Sequence, residues 1–459
     1  ENADALREGF KYFFFNVLGA AFLFLGVVLL VNWCGGAEFD TLREKLPGLS
    51  SGQVTAAVFL MASGFVMKAA QLPFRIDIQM HPATAPTPVS GYISSVLLKS
   101  ALFGLLKLFL VLGGGLAAVE AASGFGQPEI MTLVLWIGGV TIVMAATFAV
   151  FQKDIKLVLI YSTVSQLGYM VVGVALGTSL GVAGGLLHLV NHMFFKDLLF
   201  LVAGAVIYST HRQDMDRMGG LAVKMPITLA FFAIGALCVI GVPPSNGFTS
   251  KWIIYHALME QGQVFLAILS LAGSVITLAY FAKVLHTVFL GQPTKGLEEV
   301  CEAPRNMLLP MGILAAGCIV TSVFPGLILA PVNSVLEQCG LASLEVAPWG
   351  ISSGKGAWNA TVACLLFAVV ILVGHRVLTR CSVRQRVTGM HTCGVDPDDL
   401  NSRTTTRDIY TAPADALKEI RQGLGRMGSR LWKGMKPQPR GQWTKTTPPD
   451  ENTPGKPEI

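Results

Sequence analysis

The sequence predicts an all-α, polytopic transmembrane helix bundle, and two observations support this prediction. First, 52% of the 459 residues are hydrophobic and 14% are charged, with a mean hydropathy of +0.58, whereas soluble domains carry about 25% charged residues. Second, apolar stretches of about 20 residues, long enough to cross a bilayer as helices, recur along the chain. This composition excludes an ordinary soluble enzyme.

We expect about ten membrane spans, with the seventh interrupted. They cover residues 11–32, 54–72, 89–112, 130–151, 155–176, 181–209, 227–256, 264–290, 307–329 and 358–378. Lys and Arg concentrate in the loops on one side, for example at Lys153, Lys156 and Arg212. Because cytoplasmic loops carry an excess of these residues, the pattern predicts that both ends of the chain are cytoplasmic.

The end of the chain differs from the rest, because the net charge of +6 is concentrated there. We divide the chain into a transmembrane bundle at 1–378, a cytoplasmic tail with a basic amphipathic helix at 379–436, and a disordered tail at 437–459. Such a tail fits a membrane surface or a partner subunit rather than nucleic acid. The eight cysteines show no metal-ligand spacing, so we expect free thiols and no metal site.

Lys68 lies in the second span and Lys99 in the third. Lys68 comes about one turn before Pro73, near a helix end, where a lysine can also simply extend its ammonium group to the interface. Lys99 lies about ten residues inside the third span, too deep to do so. Since burial disfavours the charged form, such a lysine can release and rebind a proton.

The sixth span contains the strongest polar pattern in the sequence. His188, His192 and Lys196 recur at i, i+4 and i+8, so they share one face of a helix. Each ionisable group at membrane depth costs on the order of 3 kcal/mol, which indicates that the chain uses them. Asp197 points about 100° away from Lys196, and a lysine on another helix is a candidate partner that the sequence does not identify. The stripe predicts a proton path.

The seventh span is broken in its middle. Gly241, Pro243, Pro244 and Gly247 cannot continue a regular helix. Unwound backbone at membrane depth persists only where it is buried in protein or lines a wet cavity. Lys251 opens the second half-helix beside this break, as in the ion sites of transporters. A plain loop between two short spans is the alternative, but each half is too short to cross alone.

Polar residues also occur on the eighth and the fifth spans. Lys283 and His286 lie on roughly one side of the eighth span and are secondary candidates for modulating the path. No partner for Lys283 is evident. Ser165 and Gln166 on the fifth span either bond neighbouring helices or order a chain of water molecules.

Seven motifs resemble, in this order, those of the antiporter-like membrane subunits of respiratory complex I, Mrp cation/proton antiporters and energy-converting membrane-bound hydrogenases. They are KYFFFNVLGAAFLF, GFVMKAAQLPF, PTPVS, DIKLVLIYSTVSQLGYM, HLVNHMFFKDLLFL, DMDRMGGLAVKMP and GVPPSNGFTSKW. The resemblance extends over about residues 9–290. It implies a bundle of about fourteen helices with two inverted five-helix repeats, each containing one broken helix.

The resemblance implies the same path residues as the burial argument. They are Lys68 in the first half-channel, Lys99, His188, His192 and Lys196 on the central hydrophilic axis, and Lys251 beside the second broken helix. In the family, a membrane glutamate on a preceding helix pairs with the lysine corresponding to Lys68. No counterpart of that helix precedes the first span here, so we expect that about five helices of the inverted repeat are absent from this sequence or supplied by another subunit. Asp197 replaces a small apolar residue of the family and would reduce the positive charge of the axis.

A motif near the end of the sequence indicates which members of the family this chain resembles most. CGVDPDDLNSRTTTRDIYTAPADAL resembles the C-terminal segment of the hydrogenase-type members. The implied function is translocation of protons, or of Na⁺, by a subunit of a redox-driven complex. The alternatives are a subunit of an Mrp-type Na⁺/H⁺ antiporter and a structural spacer that does not pump.

The same resemblance implies the cofactors, partners and location of the chain. We expect no cofactor on this chain and redox cofactors in peripheral partner subunits. Other membrane subunits and the lipid bilayer are the expected partners, without nucleic acid. The expected location is the inner (cytoplasmic) membrane of a prokaryote.

Overall fold

The computed structural model describes residues 3–72, 85–111, 127–294, 296–353 and 356–380. Within these ranges the chain is helical apart from short connections and one small sheet. The α-helices are α1 Ala3–Cys34, α2 Phe39–Lys45, α3 Ser51–Lys68, α4 Thr87–Tyr92, α5 Lys99–Leu106, α6 Gln127–Val150, α7 Ile155–Ala175, α8 Ser179–Thr210, α9 Pro226–Ile240, α10 Asn246–Glu260, α11 Val264–Val284, α12 Arg305–Val323, α13 Gly326–Gln338 and α14 Ala360–Arg380. Three π-helical segments extend them at Ile93–Leu97, Lys107–Val111 and Leu285–Leu290.

Seven helical segments of the described residues are long and apolar enough to cross a membrane. They are Gly9–Cys34, Thr87–Leu110, Ile130–Val150, Ile155–Ala175, Ser179–Thr210, Val264–Leu290 and Arg305–Val323. Pro226–Ile240 and Ala360–Gly374 are shorter apolar helices. The all-α, multi-pass architecture is thus confirmed, whereas the number of about ten spans stays a prediction. Pro73 and the predicted tail beyond residue 380 lie outside the described residues.

Helix α8 is the centre of the bundle. Its 32 residues extend for about 48 Å, and α4, α7, α9, α10, α12 and α13 pack against it. Small residues bring α7 and α8 into direct backbone contact, because a Cβ added at Gly173 would lie 2.7 Å from Gly181 O and 2.8 Å from Gly185 Cα. In a bilayer no hydrophobic driving force favours contact between helices over contact with lipid. Apolar helices therefore associate through close backbone packing of this kind.

The predicted break between α9 and α10 is present. Gly241 ends α9 in the left-handed region (φ +82°), and its N–H donates to Leu237 O at 3.1 Å. Ser245 caps α10 by accepting from Phe248 N at 3.3 Å. Gly247 does not belong to the unwound stretch, contrary to the sequence prediction, because it already lies in α10. A Cβ there would lie 1.8 Å from Cys238 O, so Gly247 permits backbone contact between the half-helices.

A small antiparallel sheet lies between α13 and α14, in the order β1 (Glu345–Ala347), β2 (Gly350–Ser353), β3 (Gly356–Asn359). The sequence analysis did not predict it, because strands of three or four residues are too short to show an alternating pattern. Trp358 of β3 attaches the sheet to α10. Its Nε1 donates to Thr249 Oγ1 at 3.2 Å, and its ring lies 4.9 Å from that of Phe248.

Carboxylates fix the beginnings of two helices. Asp154 Oδ1 accepts from Lys156 N at 2.7 Å and Leu157 N at 3.3 Å at the start of α7. Burial raises the pKa of the Asp154 carboxyl group, while these two hydrogen bonds oppose the rise. At the start of α9, Glu302 accepts from Ile227 N at 2.7 Å. Because free N–H groups and the helix dipole favour an anion there, both carboxylates stabilise their helices.

We predict that Glu302→Ala lowers the free energy of unfolding by about 1 kcal/mol, since the first N–H groups of α9 lose their acceptor. The measurement is the thermal unfolding midpoint of the detergent-solubilised protein. Glu298→Ala is the matched control, because that side chain is exposed on the same connection. Equal shifts in the two variants would contradict the capping role.

Candidate functional site

The polar stripe of α8 is fully buried. His188, His192 and Lys196 each have 0% exposure, which confirms the burial expected from the sequence. His188 is held at both ring nitrogens: Nδ1 lies 2.8 Å from Ser250 Oγ on α10, and Nε2 lies 3.1 Å from Gln166 Oε1 on α7. The ring centroids of His188 and His192 are 6.3 Å apart. The two imidazoles are therefore neighbours in one buried row.

The other two members of the stripe have unsatisfied polar atoms. Neither nitrogen of His192 nor Nζ of Lys196 has a hydrogen-bond partner among the described residues. Gln166 Nε2 and Asn191 Oδ1, also buried, share this property. Buried polar groups in proteins are nearly always hydrogen-bonded, to protein or to ordered water. A cluster of such atoms beside buried cations is the arrangement that an internal water chain satisfies.

Lys99 joins the stripe from the side. It is 6% exposed and follows the π-helical segment Ile93–Leu97, where its Nζ donates to Ser94 O. It lies close enough to Lys196, His192 and His188 to interact electrostatically with each of them. π-Helical turns inside α-helices occur frequently at functional sites. The structure therefore brings Lys99 to the row that the sequence predicted.

Asp197 lies beside this row, and Lys99 is the cation with which it interacts. Asp197 interacts electrostatically with Lys99, although the two side chains form no direct ion pair. Ser95 Oγ donates to Asp197 Oδ1 at 3.0 Å. Gly91 allows this approach, because a Cβ there would lie 2.9 Å from the same oxygen. Asp197 thus lowers the net positive charge beside Lys99.

Lys251 is bound at the broken helix. Its Nζ donates to Val239 O at 2.9 Å and Ile240 O at 3.2 Å, the last carbonyls of α9. The same ammonium donates to Ser274 Oγ at 3.0 Å and lies 4.6 Å from the ring centroid of Tyr169. Carbonyls at a helix C-terminus carry partial negative charge, so the break forms a cation-binding end.

Hydroxyl groups extend the environment of Lys251 along two helices. Ser274 Oγ, on α11, also lies 3.0 Å from Tyr169 OH and 2.8 Å from Tyr255 OH. On the other side, Ser250 links the start of α10 to His188. Lys251 and His188 interact electrostatically. Hydrogen bonds and electrostatic interactions thus connect five groups into one buried series, which consists of Lys99, Lys196, His192, His188 and Lys251.

Lys68 does not join this series. It is the last residue of α3, where its Nζ donates to Asn16 Oδ1 at 3.0 Å on α1. Among the described residues no hydrogen bond or charge interaction connects it to Lys99. The first-half-channel role that the resemblance implies for Lys68 therefore stays a prediction.

The two secondary candidates differ from each other. Lys283 is buried and donates to Val150 O at 2.7 Å and Gln152 O at 2.6 Å, so it stabilises the C-terminal end of α6. His286 is exposed, although the sequence placed it on roughly the same side. The physical reason is that Leu285–Leu290 is π-helical, which rotates the side chains away from α-helical phase.

Sequence reasoning missed most partners of the path residues. Nothing in the sequence pointed to four of them, Ser250, Ser274, Tyr169 and Tyr255, apart from the i, i+4 spacing of Ser270 and Ser274 in the mainly apolar α11. Both polar residues of α7 bond neighbouring helices. Ser165 Oγ donates to Ile142 O of α6 at 2.9 Å, and Gln166 Oε1 lies 3.1 Å from His188 Nε2 of α8. A role of either residue in ordering water stays a prediction.

The comparisons with known proteins agree with this architecture. A family model described as NADH:quinone oxidoreductase/Mrp antiporter, TM, matches residues 1–277. Hydrogenase-4 component B of Escherichia coli is 31% identical over 398 residues, which cover 81% of this chain and 57% of that protein. NADH-quinone oxidoreductase subunit L of Rickettsia bellii is 34% identical over 340 residues, which cover 71% of this chain and 50% of that protein.

A solved structure shows a similar fold. A chain of the membrane-bound sulfane sulfur reductase, an archaeal respiratory membrane complex, superposes with a TM-score of 0.81 at 25% identity, covering 95% of this chain and 73% of that chain. The chain spans about half the length of these two relatives.

We predict that Gly247→Ala disrupts the break, because the added Cβ would overlap the backbone oxygen of Cys238. Overpacking of this kind costs roughly 1–3 kcal/mol, and we expect a clearly lower thermal unfolding midpoint. Gly52→Ala is the control, since a Cβ at Gly52 meets no atom within 4 Å. An unchanged midpoint for Gly247→Ala would show that the half-helices do not cross this closely.

Proposed function

This chain belongs to the NADH:quinone oxidoreductase/Mrp antiporter transmembrane family, and on that premise we propose that it is an ion-translocating subunit that moves protons along the buried series from Lys99 to Lys251. One observation carries the proposal: three titratable groups on α8 are wholly buried in one row between these lysines, and two of them lack protein partners among the described residues. If these side chains only held the helices together, their polar atoms would all be hydrogen-bonded to protein groups.

The chemistry of the series supports proton transfer in steps. His188 and His192 each have two ring nitrogens, so an imidazole can accept a proton at one and release a proton at the other. Two like charges about 4 Å apart repel by about 4 kcal/mol at an effective dielectric constant near 20. A proton that arrives at Lys99 or Lys196 therefore drives one away toward Lys251. The carbonyl ends of α9 hold that proton until it leaves.

The partner subunits, the membrane and the orientation of the chain are also part of the proposal. Hydrogenase-4 component B and NADH-quinone oxidoreductase subunit L are named as parts of larger assemblies, which supports partner subunits that carry the redox cofactors. We place the chain in the inner (cytoplasmic) membrane of a prokaryote, with both ends of the sequence on the cytoplasmic side. The basic residues Lys153, Arg212 and Lys224 between spans favour this orientation.

Exchange of Na⁺ or K⁺ for protons is a second candidate function. The family description includes the Mrp antiporters, and the Asp197 carboxylate beside Ser95 provides oxygen ligands next to the series. Hard monovalent and divalent cations prefer such oxygen ligands. We rank it second because Lys99 competes for the same carboxylate.

We predict that Lys196→Met slows proton flux by about tenfold or more, since the series loses its central protonatable group. The complex that contains this chain is reconstituted into vesicles, a membrane potential is imposed, and a trapped pH-sensitive dye reports the initial rate. Lys153→Met is the matched control, because Lys153 forms an exposed ion pair with Asp216, and such pairs contribute little.

The same vesicles separate the two candidate functions. Flux that is independent of Na⁺ and K⁺ supports proton transfer alone, whereas flux that requires one of these ions and is lost in Asp197→Asn supports exchange. Equal rates in Lys196→Met and Lys153→Met would contradict both routes through the stripe.

A further inference from the structure

The second half of α10 carries a polar and aromatic group outside the series described above. Trp252, His256 and Glu260 follow one another at i, i+4 and i+8. The Trp252 and His256 rings are stacked, with centroids 5.1 Å apart and planes within 5° of parallel. His256 Nε2 lies 3.2 Å from Glu260 Oε1, and the two side chains are 21% and 23% exposed. The imidazole is thus fixed on one side by a ring and on the other by a carboxylate.

We propose that His256, held by Trp252 and Glu260, is the relay group that passes protons between Lys251 and the water at the end of α10 distant from the break. This inference rests on the proposed function and adds its outlet. The buried series ends at Lys251, and the relay continues it to the water.

The position of His256 along the helix fits a boundary group. Helices α9 and α10 have 15 residues each, so the break lies about 22 Å from the outer end of either helix. His256 lies ten residues after Asn246, a rise of about 15 Å, which equals half of the roughly 30 Å hydrocarbon thickness. The imidazole therefore lies where a helix that starts at mid-membrane reaches the interface, and its partial exposure agrees with that depth.

A hydroxyl route leads from Lys251 toward this position. Lys251 Nζ donates to Ser274 Oγ at 3.0 Å, and Ser274 Oγ lies 2.8 Å from Tyr255 OH. Each hydroxyl accepts one proton and gives one up, so neither changes in the net step. Water carries the proton from the Tyr255 hydroxyl to the imidazole. The resulting imidazolium passes its Nε2 proton to the Glu260 carboxylate, which releases it to water. One proton leaves Lys251 and one enters the water.

Aromatic side chains cover the neighbouring face of α10. Trp358 of β3 lies against Phe248 and Trp252, with ring centroids 4.9 Å and 5.7 Å away, and its Nε1 binds Thr249 Oγ1. This cluster of Phe248, Trp252 and Trp358 places apolar surface beside the imidazole. An ordinary surface His–Glu pair contributes little to stability and does not require a stacked tryptophan. The stack orients the imidazole, which a relay group needs.

The test uses His256→Asn in the vesicle-reconstituted complex with an imposed membrane potential. We expect proton flux to fall about tenfold and to recover when imidazole, a diffusible proton carrier, is added on the side of the α10 end. A purely structural role would not respond to imidazole. The matched control is His211→Asn, because His211 is an exposed histidine at the end of α8 with a left-handed backbone (φ +53°) that Asn tolerates.

Four results separate this inference from the proposed function. Imidazole-dependent recovery in His256→Asn, but not in Lys251→Met, supports the relay. A normal rate in His256→Asn with a lost rate in Lys251→Met overturns the relay and leaves the proposed function standing. Loss in His256→Asn without recovery overturns the relay in favour of a structural role. Normal rates in both variants overturn the relay together with the proposed function.

Discussion

Every buried ammonium group in a membrane protein needs acceptors for its three N–H bonds, and this constraint organises the bundle. The acceptors are backbone carbonyls freed where helices end or change pitch. Lys251 binds the last carbonyls of α9, Lys283 those at the end of α6, and Lys99 a carbonyl of a π-helical turn. A broken helix is therefore a source of binding groups rather than a defect, because the end of a half-helix offers unpaired carbonyls at membrane depth.

Lys196 is the exception to this pattern, and the exception gives the site its character. Its ammonium and both nitrogens of His192 lack hydrogen-bond partners among the described residues, while the lysines on either side are held by carbonyls. The ammonium of Lys196 therefore has fewer protein acceptors than that of Lys251, and water is its expected partner. Asp197 modifies the start of the row, because its carboxylate interacts electrostatically with Lys99. Stepwise proton transfer requires groups that the protein holds in place at the two ends of the row and groups that it holds less firmly in the centre.

Much of the fold and part of the site follow from the sequence, for identifiable reasons. Length and hydropathy specify the helices, and glycine and proline locate the break. The i, i+4, i+8 spacing groups His188, His192 and Lys196, because side chains on one helix share a face whatever surrounds it. Contacts between helices do not follow from spacing. Hence Ser274 as a partner of Lys251, and the carbonyls that hold Lys283, appear only in the structure. His286 illustrates a further limit, since a π-helical segment shifts the phase on which face assignments depend.

The proposed function requires that the buried series is a hydrated proton path. The most direct measurement is a map of the assembled complex, by electron cryo-microscopy, at a resolution that shows ordered water. We predict water about 2.7–3.2 Å from the ring nitrogens of His192 and from Nζ of Lys196, continuing toward Lys99 and His188. A map in which these atoms contact only apolar side chains, with no water between them, would contradict the account.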